Sequence, residues 1–247
     1  MRVFGKSVLD WFKRPHRFTR CDDMYASTRD ALWNAVRKTI QAPIHQQKSI
    51  WLVTHFTDTF LALQSQLERW QVEYEVITKP FDQAELEQSQ LLAPGTIKLV
   101  LAELVNFDLP DPNQFATERL TREAVNHAPL SETPRPSLAM ILVERHPHLK
   151  HDQRIESFAR SLNANVEFGY FNALDDVVLA QIMSPTTMTV LHQLGLNDHE
   201  LITSVMISRR LTKVLRRAAE QYPSDLPADS ASEWLKLNSI PVDDETK

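Results

Sequence analysis

Short apolar runs alternate with amphipathic stretches through the first two-thirds of the chain, and that rhythm sets the fold class. Ile50-Trp51-Leu52-Val53-Thr54 and the segments 72–77, 97–101, 138–143 and 166–171 read as strands buried on both faces. Helical periodicity falls between them. Ser27 with Asp30 forms a capping pair before a helix carrying Leu32, Trp33, Val36 and Ile40 on one face. Phe60, Leu63, Leu67 and Trp70 mark a second helix, and 82–92 a third. Strand and helix in alternation require crossover connections, so the expectation is an α/β fold with a parallel sheet covered on both sides. Prolines 110, 112, 129, 134 and 136 break the rhythm and mark 105–137 as an insertion around one helix, 114–125.

Composition narrows the function classes. The 247 residues include only four glycines, Gly5, Gly95, Gly169 and Gly195, where roughly seventeen are usual at about 7 %. No two lie close together, which excludes a dinucleotide fingerprint or other Gly-rich phosphate cradle. A hydrophobic share of 43% with 24% charged residues excludes wholesale disorder. Cys21 stands alone, so no internal disulfide can form, and no Cys/His spacing matches a zinc site. The longest apolar run, 138–143, is far short of the ~20 residues of a membrane span, and no signal peptide is visible. The expected location is therefore the cytoplasm. A net charge of -5 argues against bulk affinity for nucleic acid.

Several segments, in order, carry a resemblance. Asp22-Asp23-Met24-Tyr25-Ala26-Ser27 and the helix after it, 48–67 with Thr54 closing the strand, and Glu73-Tyr74-Glu75-Val76 come first. Glu144-Arg145-His146 with Asp152 follows, then Phe171-Asn172-Ala173-Leu174-Asp175-Asp176, the helix end 191–196, and 205–220 with Ile207, Ser208, Leu211 and Arg216 in register. Together, over residues 20–221, they resemble the second nucleotide-binding motor domain of SecA, the ATPase that drives preproteins through the bacterial translocon. The resemblance implies a RecA-like domain of the P-loop NTPase class, with a parallel sheet of about five or six strands and a helical C-terminal extension.

The departures fall on the parts of that domain that contact nucleotide. Its Gly-rich turn after the third strand is here Ala102-Glu103-Leu104-Val105-Asn106-Phe107-Asp108, without glycine or arginine. The arginine positions that reach the γ-phosphate fall on Glu156, Phe158 and Ser161, counted from Asp152. An arginine finger contributes about 10³–10⁵ in rate, which none of these side chains can supply. Arg154 and Arg160 are the nearby cations that could substitute. A Walker A loop is missing too: Gly5-Lys6-Ser7 has no upstream glycine or strand. The expectation is a chain without autonomous ATP hydrolysis and without a cofactor.

Other clusters have plain readings beside functional ones. His146, His148, His151 and Asp152 suggest a metal, but Pro147 disrupts the spacing, so no metal is expected. Asp175 and Asp176 read as helix-capping carboxylates rather than an acid/base pair. Phe4, Val8, Trp11 and Phe12 align on one face of a basic N-terminal segment. That face suits an anionic membrane surface, a partner, or the chain's own sheet. Arg209, Arg210, Lys213, Arg216 and Arg217 lie opposite the apolar stripe of 208–222 and form either a solvated face or a patch for an acidic partner or a phosphate backbone.

The expected organisation is a basic amphipathic segment at 1–20, a RecA-like domain at 21–174, a helical extension at 175–222 and a flexible acidic tail at 223–247. The expected function is a non-catalytic, SecA-like interaction or regulatory module, with a protein partner that includes translocation components. Peripheral contact with the inner membrane would come through 1–20. Glu103, Glu144, Arg145, His146, Asp152, Arg154 and Arg160 form the candidate interface on the vestigial motor face. The alternatives are half of an ATPase completed in trans and a helicase-like nucleic-acid-binding module.

Overall fold

The structure, a computed structural model, describes residues 18–42, 47–80, 92–105, 135–182, 201–221 and 224–238. The N-terminal amphipathic segment, all but the last residue of the third expected helix at 82–92 and most of the expected insertion lie outside the described residues.

The strands are β1 (Phe18–Arg20), β2 (Met24–Ala26), β3 (Ser49–Thr54), β4 (Glu75–Ile77), β5 (Ile97–Leu101), β6 (Ser137–Leu142), β7 (Asn165–Ala173) and β8 (Ile202–Thr203). The helices are α1 (Arg29–Ile40), α2 (Thr57–Arg69), α3 (Leu149–Ser161), α4 (Val177–Ile182), α5 (Val205–Gln221) and α6 (Ala231–Asn238). One eight-stranded sheet runs β4-β5-β3-β6-β7-β2-β8, with β1 also paired to β7. Every pairing is parallel except β2 with β8. This is the α/β architecture with helices on both faces that the alternation predicts, and it accords with a RecA-like fold.

Alternation along β3 divides the core. Ile50 and Leu52 pack with Leu32 and Val36 of α1 and Leu63 and Leu67 of α2. Trp51 and Val53 face the other way, onto Ile155, Phe158 and Ala159 of α3. A third cluster lies beyond the strand ends, where Tyr25 and Phe56 meet Leu179, Leu211, Leu215, Trp234 and Leu235.

Three details differ from the sequence expectation. The cap of α1 is Thr28, whose Oγ1 accepts the Ala31 N–H at 3.2 Å, in place of the Ser27–Asp30 pair. Residues 175–222 are not wholly helical, because Ile202–Thr203 adds an antiparallel edge to β2. The tail from 223 is not loose as far as residue 238. Ala231, Trp234 and Leu235 form one apolar face of α6, and their burial outweighs the cost of ordering the segment. β1 and β2 are too short for a periodicity signal; they act as one edge strand interrupted at 21–23, pairing with successive halves of β7.

The β3/β6 boundary is the point where the chain, having passed to the outer β4 and come back through β5, crosses to the other side of β3. Crevices at the carboxyl ends of such strands are where ligands bind in open α/β sheets. Among the described residues no helix is long and apolar enough to cross a membrane.

Phe158 is fully buried against the Trp51 ring, with centroids 6.4 Å apart. Phe158→Ala is expected to lower stability by about 3–5 kcal/mol, read from the midpoint of urea unfolding.

Candidate functional site

The residues after β3 and β6 converge at that switch point. Glu144, 2% exposed, follows β6 and turns its carboxylate toward the start of α2. Its Oε1 accepts the backbone N–H groups of His55 at 2.7 Å and Phe56 at 3.0 Å, and Oε2 accepts the Thr59 hydroxyl at 2.6 Å. These are the amides of the turn that leads into α2, with Phe56 as its N-cap, and the chain's own carboxylate sits where N–H groups at a helix start would attract an anion. Burial outweighs the three donors and pushes the Glu144 carboxyl up to about 7.

Arg145 lies beside it, also buried. Its Nε sits 2.8 Å from Asp152 Oδ2 as an ion pair without hydrogen-bond alignment, and Nη1 is 3.6 Å from Asp23 Oδ2. The guanidinium lies over the Tyr170 ring, 3.8 Å from its centroid. Burial works against its charge, but Asp152 and the other anionic neighbours hold its pKa above the ordinary value. Asp152, from α3, also accepts His55 Nε2 at 2.8 Å and the His146 N–H at 3.2 Å. Although burial opposes ionisation, Arg145 and His55 hold the Asp152 carboxyl below the usual range. Asp23 is further tied to Arg20 and, at 3.3 Å, to the Tyr25 hydroxyl.

The C-terminal segment closes this cluster from outside. Asp225 takes His151 Nε2 at 2.9 Å, Lys150 Nζ at 2.6 Å and Trp234 Nε1 at 3.1 Å. The Trp234 ring stands edge-on to His146 with centroids 5.2 Å apart, and Phe56 stacks on the same imidazole at 5.1 Å. Burial holds His146 neutral, with its pKa well below the ordinary value. A small cavity of about 190 Å³ remains between Glu103, Arg154, Asp225 and Trp234.

One set of donors could in principle hold a cation: His146, His151 and Asp225, with one atom from each within 4.8 Å of the others. Their hydrogen bonds oppose it. His146 Nδ1 already accepts the His148 N–H at 2.9 Å, which leaves the ring proton on Nε2. The Asp225 carboxylate already carries the Lys150 ammonium.

The candidate interface residues thus divide. Glu144, Arg145, His146 and Asp152 are brought together but buried, so in this conformation they cannot themselves touch a partner. The reason is chemical: each is satisfied by groups of the same chain. Arg154 is half-buried and donates from Nη2 to the Val105 carbonyl at 2.6 Å. Arg160 is exposed, bonded to Glu156 at 2.5 Å and placed over the Phe18 ring. Glu103 is exposed in the turn after β5. Asp175 and Asp176 tie α1 to the loop before α4. Asp175 Oδ2 accepts the Arg29 N–H at 3.2 Å, and Asp176 pairs with the Arg29 guanidinium at 2.9 Å.

Arg209, Arg210, Lys213, Arg216 and Arg217 are all exposed on α5. Phe4, Val8, Trp11 and Phe12 lie outside the described residues. Sequence reasoning passed over His55, Asp23, Asp225 and Trp234. His55 carried a usable signal, since it directly follows a buried strand in an α/β pattern. Asp225 and Trp234 carried none, because their role depends on where the tail folds back.

No protein-family model matches the chain, and no curated protein matches it. Among solved structures, the crystal structure of the C-terminal part of the Fun30 ATPase domain is similar at 12% sequence identity and a TM-score of 0.31. The match covers 76% of this chain and 53% of that one, so this chain spans about half its length.

Two outcomes follow from the buried charges. Arg145→Ala leaves the buried Asp152 without its arginine and Asp23 with Arg20 alone, and is expected to cost about 3–5 kcal/mol, measured by urea unfolding. Glu144 has a folded-state pKa near 7, above its ordinary 4.5, so the folded chain keeps a proton that the unfolded chain releases across this interval. Its stabilising contribution is complete below 4.5 and is lost as pH rises to about 7. His146 has the opposite slope below 6.5, and it is shared by both proteins in a comparison with Glu144→Gln. The glutamine variant should therefore gain stability relative to the native chain as pH rises, by up to about 1.4 kcal/mol per pH unit, in unfolding at about pH 5 and about pH 8.

Proposed function

We propose that this chain is a non-catalytic RecA-like module, derived from a SecA-like second motor domain, that acts by binding another protein or regulating an assembly. The observation that carries the reading is the occupation of the α2 start by Glu144, whose Oε1 takes the His55 and Phe56 N–H groups. A motor domain needs donors and cations directed at an incoming phosphate. Here the corresponding groups close on one another: Arg145 is held between Asp152 and Asp23, Arg154 is bonded to Val105, and Arg160 to Glu156.

A regulatory role suits the way the cluster is covered. The segment 224–238 is held over the cluster by two donors from α3 to Asp225, His151 and Lys150, and by the Trp234 ring against His146. A partner that engages this face meets the exposed Glu103 and the outer side of α6, whereas Arg160 lies at the far end of α3 over Phe18. Participation in protein translocation follows from the SecA resemblance in the sequence.

The second reading, an ATPase completed in trans, draws on Arg160, whose guanidinium is exposed and could reach a neighbouring chain. The test mixes the full chain with a SecA-like first motor domain and measures ATP turnover. No stimulation over the first domain alone is expected, and the Arg154→Ala and Arg160→Ala variants should behave as the native chain does. Turnover that appears on mixing and disappears with either alanine would overturn the non-catalytic reading.

A further inference from the structure

A cleft of about 810 Å³ lies beside the strand-end cluster, between the 20–23 turn and the side of α5. This is within the roughly 300–1,000 Å³ of small-molecule sites. Arg209, Lys213 and Arg216 line it from α5. Their i, i+4, i+7 spacing puts them on one helical face over about 10 Å. Among the described residues none of the three forms an ion pair.

The opposite wall is largely neutralised within itself. Arg20 is bonded to Asp23, which also faces Arg145 and Tyr25. Burial pushes the Cys21 thiol up to about 12, so it adds no negative charge. Asp22 is the remaining carboxylate of the cleft, against three cations. Thr203, Ser204, Ser208 and Thr212 add hydroxyls to the lining. Ser204 Oγ accepts the Ile207 N–H at 3.3 Å and so keeps its own O–H to donate.

We infer that this cleft binds a compact polyphosphate anion, a di- or triphosphate either free or borne on a small organic group. Two guanidinium forks and an ammonium on one wall match several phosphate oxygens at once, which a single carboxylate ligand could not use. A continuous nucleic-acid backbone fits less well. It would run on past the cleft across a chain of net charge -5 and past the Asp22 rim. The cleft shares Asp23 with the strand-end cluster, but its cations come from α5, so its failure leaves the reading of that face untouched.

The test is calorimetric titration of the full chain with inorganic tripolyphosphate at physiological salt, with ATP and a single-stranded oligonucleotide as parallel arms. Tripolyphosphate is expected to bind saturably at one site. Arg209→Glu and Lys213→Glu should each weaken it by about tenfold or more. Arg217→Glu changes the net charge equally from a position outside the cleft and should alter affinity by no more than about twofold. All three positions are exposed, so the variants should keep the native near-ultraviolet dichroism. Equal or tighter binding of ATP would assign the organic-borne form, and tripolyphosphate alone the free form. No saturable binding, equal weakening by Arg217→Glu, or tighter binding of the oligonucleotide than of tripolyphosphate would overturn the inference.

Discussion

Arg145 sets the condition that the rest of the strand-end cluster must meet. A guanidinium does not lose its charge on burial, so removing it from water is tolerable only with carboxylates and hydrogen-bond acceptors at hand. Asp152 comes from α3, Asp23 from the break between β1 and β2, and the Tyr170 face from β7. Three separate stretches of chain are thereby fixed around one side chain that follows β6. The interruption of the edge strand at 21–23 has the same origin, because it turns Asp23 inward toward the two arginines, Arg20 and Arg145.

The second carboxylate of the cluster acts differently. Glu144 joins no arginine; it closes the N-terminus of α2 by taking the His55 and Phe56 amides. A protein so short of glycine has few backbone positions able to wrap an anion, and this carboxylate performs internally what a bound anion would otherwise do. The tail then shields both arrangements. Trp234 covers His146, and Asp225 gathers His151, Lys150 and the indole N–H, so the tail is held by polar contacts at its base and apolar ones on α6.

The parallel sheet was legible because its signal is local. Fully buried strands such as Ser49–Thr54 and Ser137–Leu142 are continuous apolar runs, and the helices between them keep a 3.6-residue period. The grouping of Glu144, Arg145, His146 and Asp152 was legible too, from their place after a strand. Their burial was not. It depends on Asp23, His55 and Trp234, which are distant in sequence, and of these only His55, directly after β3, carries a local signal. The tail shows the same limit. Its acidic, Pro- and Ser-containing composition reads as loose, and only the surface prepared by Phe56, His146 and Leu179 makes a short helix there worth forming.

The two charged regions of the molecule therefore obey opposite rules. On the strand-end face, cations and anions are matched one against another within the chain, and the excluded water makes any unmatched member costly. On α5 the basic side chains stand in solvent, where an isolated charge costs little and persists without a partner. Internal matching fixes a conformation; unmatched exposed charge is available to something else. The strand-end cluster, which sequence order ties to a motor, is for that reason the scaffold. On the proposed reading, recognition falls to surfaces the cluster does not neutralise: the outer side of α6 and the basic side of α5.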